Sequence, residues 1–373
     1  MNTTSSQPER THLRLGFVAL SDAAPLAVAA LRDLGACHGI TIELCRQPSW
    51  AAVRDKLLSG EIDAAHALYG LVYGVQLGIG GPRADMAVLM VLNRNGQAIT
   101  LSRPLADAVD AGASVKEALL ALGRRPVIAQ TFPTGTHAMW LYYWLAAHGV
   151  HPLRDVESIV IPPTRMADAL VDGALDGFCA GEPWHAVAQA REAGRTVAYT
   201  SEIWPDHPEK VLACRRDFAA LYPNTARALV RTMLDACAWL DAKTHREEIA
   251  QALSSPELLG VPTALIAPRL VASGDGDARA LPVRFFDDGA VNYPRVSDGH
   301  WFITQYRRWG MLDADIDDGD IAASVNQTAL YRDAAWAAGI AIPGERRAAT
   351  FCDGRVWDGG DAAGYLAGFD MHA

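Results

Sequence analysis

The sequence predicts an α/β fold of two lobes with a cleft between them, and two observations carry that reading. Apolar stretches follow the order β-α-β-α-α-β between Leu13 and Leu92, and a second run of the same kind resets at Pro126. Half of the 373 residues are hydrophobic and 20% are charged, which gives enough apolar mass for more than one core.

Residues 1–11 are polar, carry no apolar pattern and are expected to form a disordered tail. Leu13–Leu20 reads as a buried strand. "APLAVAALRDLGACHG" gives a helix ending on Gly39, and "ITIELCR" the next strand. In "SWAAVRDKLLSGEID", Ser49 caps a helix that Gly60 stops: a side-chain oxygen satisfies a free amide at the start, and glycine takes the left-handed conformation at the end. "AAHALYGLVYGVQLGIGG" is rich in small residues and is expected to be helical, whereas "MAVLMVL" is a strand. Alternating strands and helices imply a largely parallel sheet.

In the second unit, Pro126–Thr131 is a strand and Met139–His148 a helix. "ESIVIPP" is a strand, "RMADALVDGALD" a helix, "GFCAG" a short strand, "PWHAVAQAREAG" a helix and "RTVAYTS" a strand. Beyond "HPEKVLAC" the chain is mainly helical, starting with Asn224–Ala242. Acidic glycine-rich patches at Gly274–Asp277 and Asp353–Gly360 read as loops.

The formal charge of -10 excludes a general nucleic-acid surface, which needs a basic field. A small anion still fits if local donors and a local cation meet it. The six cysteines, Cys37, Cys45, Cys179, Cys214, Cys237 and Cys352, form no CxxC pair and stand near no histidine at zinc spacing. No metal site and no cofactor are predicted. The cysteines are expected to be small buried residues of a reducing compartment. "MNTTSSQPERTHLRLGFVAL" shows no basic segment followed by an apolar leader, and the longest apolar run, Met86–Leu92, is too short to span a bilayer. A cytoplasmic protein with no membrane partner is expected. No nucleophile elbow, P-loop or GxGxxG opening a helix is present, so a binding protein is expected rather than an enzyme.

"TFPTGTHAMWLYYWLA" (Thr131–Ala146) runs strand, turn, helix and sets His137 at the helix start. Open α/β sheets bind ligands where strand ends meet helix N-termini. Together with "SWAAVRDKLLSGEIDAAHAL", "LNRNGQAITLS", "AGEPWHA", "HPEKVLAC" and "DGAVNYPRVSDGHWFITQYRRWG", this stretch resembles the nitrate/bicarbonate branch of type II periplasmic-type solute-binding proteins, over roughly residues 12–312. The resemblance implies a two-lobed clamshell: residues 12–100 start lobe I, 101–211 form lobe II, and 212–373 return to lobe I and add a C-terminal extension. It also implies an anion site of Trp50, Gln97, His137 and Lys210, with the backbone N–H of Ala52 as a fifth contact where some members carry glycine.

The residue types suit a flat monovalent anion. An indole N–H is a pure donor, an amide and an imidazole can donate, and an ammonium supplies the countercharge. No carboxylate is expected to face such a ligand. Lys210 also sets the chain apart from the bicarbonate-type receptors it resembles, which carry an acidic residue and a calcium ion there. Within the branch the resemblance is nearest to the cytoplasmic NasS-type nitrate/nitrite sensors. That implies a protein that holds an ANTAR-type RNA-binding antiterminator until nitrate or nitrite arrives and so regulates nitrate assimilation genes, itself touching no nucleic acid. The alternative is the solute receptor of an ABC nitrate importer. His185, His207, Asp298 and His300 are read as structural.

Overall fold

A computed structural model describes residues 7–271, 279 and 281–373. Ten strands build two five-stranded sheets. Strands β1 (His12–Val18), β2 (Thr41–Gln47), β3 (Ala64–Leu68), β4 (Met86–Val91) and β10 (Lys210–Arg215) form the first, in the order β2-β1-β3-β10-β4. Strands β5 (Gln97–Ser102), β6 (Val127–Gln130), β7 (Glu157–Val160), β8 (Gly177–Gly181) and β9 (Gly194–Tyr199) form the second, in the order β7-β6-β8-β5-β9.

Neither sheet is largely parallel. In the first, β1 runs parallel to β2 and β3, but β10 is antiparallel to β3 and β4. In the second, β6 runs parallel to β7 and β8, and β5 is antiparallel to β8 and β9. The reason is the crossing. β5 and β10 each enter a sheet directly from the other lobe and so run against strands delivered by helical returns. The chain turns at Asn95 (φ 62°), Gly96 (φ 91°) and Asp206 (φ 56°), and the two passages pair through Asn95 N–H to His207 O and Glu209 N–H to Asn93 O. All of β5 therefore lies in the second sheet and Lys210 opens a strand of the first, a few residues ahead of the boundaries expected at 100 and 211.

Local expectations meet mixed outcomes. The Ser49 hydroxyl accepts the Ala52 amide at 3.2 Å, and Gly60 ends that helix in the left-handed region. The small-residue stretch divides into β3 and a helix, Tyr69–Leu77. A strand buried on both faces lacks alternation, so periodicity does not separate it from a helix. The helix begun at Ala24 stops at Leu31, and a 3-10 turn, Leu34–His38, leads to Gly39. Residues 1–6 of the expected tail lie outside the described residues. Residues 7–11 include fixed positions: Glu9 accepts the amides of Asn224 and Thr225, and Arg10 pairs with Asp63 at 2.7 Å. The patch at Gly274–Asp277 also lies outside the described residues. The patch Asp353–Gly360 is largely turn but holds the short strand Val356–Trp357. Cys179, Cys214 and Cys237 are buried, but Cys37 and Cys352 sit exposed in turns, against the expectation of buried thiols. Among the described residues no helix is long and apolar enough to cross a membrane.

Residues 313–373 strap the two lobes along one side. Tyr143, on the helix Thr136–Ala147 of the second lobe, donates to Asp353 at 2.9 Å, and the Cys352 amide donates to Ile203 O. Trp357 Nε1 donates to Ser297 O, and Arg308 lies over the Phe369 ring at 3.6 Å. Beneath the strap runs an aromatic seam. Trp140 stacks on Trp301 at 4.8 Å between ring centres, and Phe351 meets Tyr143 and Trp204 at 4.9 Å each.

Candidate functional site

Between the sheets, six segments deliver polar side chains into a region that water does not reach. Asp22 stands in the 3-10 turn Ser21–Ala23, which follows β1 and leads into the helix Ala24–Leu31. Trp50 opens the helix Trp50–Ser59, and His66 is the middle residue of β3. Gln97 and Lys210 are the first residues of β5 and β10. His137 occupies the first turn of a helix that begins at Thr136, three residues before the expected start. Trp50, His66, His137, Glu209 and Lys210 are all 0% exposed.

All of these groups except Trp50 join one hydrogen-bonded network. Thr131 Oγ1 lies 2.6 Å from His137 Nδ1, and His137 Nε2 donates to Gln97 Oε1 at 2.8 Å. Gln97 Nε2 donates to Asp22 Oδ2 at 2.9 Å. The same oxygen accepts Lys210 Nζ at 2.8 Å, and Asp22 Oδ1 accepts His66 Nε2 at 2.8 Å. Lys210 Nζ also donates to Glu209 Oε1 at 2.9 Å, and Glu209 takes further bonds from Thr136 Oγ1 (2.6 Å) and Trp140 Nε1 (2.8 Å).

Burial sets the electrostatics. It pushes His137 down to about 3 and His207 down to about 4, and lowers His66, so all three are neutral near pH 7. Burial alone would raise Asp22 and Glu209. In both, the Lys210 charge together with the neighbouring imidazoles and hydrogen bonds outweighs it, and each carboxyl is held below its usual range. Burial opposes the Lys210 ammonium too, but Asp22 and Glu209 overcome that and raise it. The cluster thus carries two carboxylates against one ammonium.

The structure brings Gln97, His137 and Lys210 into one network. Trp50 lies beside it, its ring 5.7 Å from Lys210 Nζ and 5.5 Å from the His66 ring, with an indole N–H that is buried and has no hydrogen-bond partner. Ala52 stands apart: its amide is taken by the Ser49 cap, because the N-terminal turn of a helix uses that N–H first. The expectation of no carboxylate at the site is corrected by Asp22 and Glu209. Those two and His66 are the residues the sequence reading missed. Glu209 stood next to Lys210 in "HPEK", Asp22 at a helix start, and His66 inside the apolar run "AAHAL". The four positions read as structural each make contacts within the protein. His185 bonds Thr100 and Ala180 O, His207 bonds Thr200, His300 packs edge-on against Trp357, and Asp298 pairs with buried Arg94 at 3.1 Å. Among the described residues no group of three His, Cys, Asp or Glu side chains is placed to hold a metal ion.

Two α/β lobes closed on a buried polar cluster define a solute-binding protein of the periplasmic-binding-protein fold. The chain belongs to the NMT1-like family, whose model matches residues 6–254. It is 37% identical over 383 residues to the nitrate/nitrite binding protein NrtA of Synechocystis sp. PCC 6803, covering 96% of this chain and 85% of that protein. The crystal structure of the periplasmic nitrate-binding protein NrtA from Synechocystis PCC 6803 superposes with a TM-score of 0.90 at 35% identity, covering 98% of this chain and 100% of that one. The nitrate import ATP-binding protein NrtC of the same organism is 35% identical over 98% of this chain, which spans only 56% of that longer protein. Family and relatives place the chain among solute-binding proteins rather than enzymes.

Proposed function

We propose that the chain binds nitrate or nitrite and serves as the solute receptor of an ABC-type importer. One observation carries the binding step: the Trp50 indole N–H, unpartnered and buried, stands beside the Lys210 ammonium in a network that also holds Gln97 and His137. A flat monovalent anion needs directional donors and one cation, and these four residues supply both. The names of the relatives, nitrate/nitrite binding and nitrate import, support the ligand and favour import.

Calorimetric titration with nitrate and with nitrite tests this. One site per chain is expected, and each bound anion should raise the melting temperature, because a ligand at a hundred times its Kd adds about 2.7 kcal/mol to the folded state. No heat and no shift with either anion at millimolar concentration would reject the reading. The cytoplasmic NasS-type sensor role shares this binding step and differs in its partner. A pull-down that releases an ANTAR-type antiterminator on adding nitrate would favour the sensor. Location in the cell envelope, together with a permease, would favour the receptor.

A further inference from the structure

We propose that Asp22 is a built-in competitor for the anion: its carboxylate occupies donors that the ligand must take, so binding is an exchange of one carboxylate for one anion. The inference rests on the nitrate/nitrite reading above and adds what sets the strength of that site.

A carboxylate and a nitrate ion are alike in the features a donor set reads. Each is flat, carries one negative charge and presents oxygens at similar spacing. Asp22 Oδ2 takes Gln97 Nε2 at 2.9 Å and Lys210 Nζ at 2.8 Å, so it holds two of the four side chains assigned to the anion. His66 Nε2 clamps the other oxygen at 2.8 Å. The Gln97 amide is aimed at Asp22, because its Oε1 is fixed by His137 and faces Gly181, where an added Cβ would lie 2.6 Å from that oxygen. Lys210 has three N–H donors and spends two of them on Asp22 and Glu209. Of the four assigned side chains, Trp50 alone has a donor nitrogen with no hydrogen-bond partner at all.

Charge points the same way. An anion entering beside both carboxylates would set three negative groups against one ammonium in a dry site, and unbalanced buried charge is strongly disfavoured. Releasing Asp22 relieves that. The residue is placed to couple release to the lobes: its neighbour Ser21 donates its amide to Glu182 O across the cleft at 2.8 Å.

The competitor role and a positioning role predict opposite signs. If Asp22 merely aimed Lys210 and Gln97 at the ligand, Asp22→Asn would weaken binding. As a competitor, Asp22→Asn keeps the shape, removes the charge and should tighten nitrate and nitrite binding roughly tenfold or more, the size of effect one like charge has on a neighbouring ionisation. Asp22→Ser is the second variant, and circular dichroism with a melting curve checks that both fold. Calorimetric titration of wild type and both variants then decides. Tighter binding in either folded variant supports the proposal, as does binding in a variant where wild type shows none. Equal or weaker binding with wild type active overturns the proposal and leaves the nitrate/nitrite reading intact. No binding by wild type or by any folded variant overturns both. A test free of variants is a crystal structure of the wild-type chain with nitrate seated. The Asp22–Lys210 contact should open beyond hydrogen-bonding distance, and a contact retained at the present 2.8 Å would overturn the exchange.

Discussion

Two regions join the lobes, and they are built from opposite materials. On the cleft side the contacts are hydrogen bonds and charges: Ser21 to Glu182, Trp184 Nε1 to Ala19 O, Gln97 to Asp22, and Thr136 and Trp140 to Glu209. On the far side they are rings: Trp140, Tyr143, Trp204, Trp301, Phe351 and Phe369, with Arg308 laid between. A hydrogen bond can be traded for one to water or ligand at small net cost, whereas buried apolar area has no such substitute in water. The lobes should therefore part at the cleft and pivot on the seam. Trp140 belongs to both regions, its ring stacked on Trp301 and its N–H held by Glu209.

Substitutions can break that contrast, and the largest effects come first. Lys210→Met leaves Asp22 and Glu209 buried without their counter-ion. It should abolish nitrate binding by calorimetry and also cost about 3–5 kcal/mol in urea denaturation, the usual penalty for half a buried ion pair. Trp301→Ala should cost a similar amount, about 3–5 kcal/mol, by opening a cavity in the seam, while nitrate binding persists. Loss of binding there would show that seam and cleft are not separable.

Acid should act strongly on the cleft. His66, His137 and His207 have folded pKa values below the ordinary histidine value, so the unfolded chain binds more protons in the interval between. Their contribution is full above about pH 6.5 and drains as pH falls through about 4 for His207 and about 3 for His137, at up to about 1.4 kcal/mol per pH unit for each. The depressed Asp22 and Glu209 add to the loss below about pH 4. Urea midpoints at pH 7, 6 and 5 should fall steadily, and Trp301→Ala should show the same slope, since rings do not titrate there. Thr136→Val removes one of the bonds to Glu209 and should cost about 1–3 kcal/mol. Arg32→Ala breaks the exposed pair with Glu248 and should change stability by less than about 1 kcal/mol, with binding untouched.

The contrast also separates what the sequence reveals from what it hides. Ser49 and Gly60 announce their helix because capping is local chemistry, and Gln97, His137 and Lys210 were marked by motifs before the structure joined them. Asp22 and His66 carried no such mark. A lone aspartate at a helix start reads as a solvated cap, and a histidine in an apolar strand as a core residue. Their meaning lies in a partner 44 positions away. Ala52 shows the reverse: in this structure its amide is held by the local Ser49 cap. The antiparallel placement of β5 and β10 was hidden too, because strand direction is fixed by the crossing and not by composition.

The sheet order has a consequence for synthesis. Strands β5 to β9 are contiguous in sequence, so the second sheet is complete once residue 199 has emerged from the ribosome. The first cannot close then, because β3 and β4 touch only through β10 and wait for residue 215 with their edges bare. The lobe begun first is the one finished last, and a nascent chain stalled between those two points would expose the surfaces most prone to stray pairing.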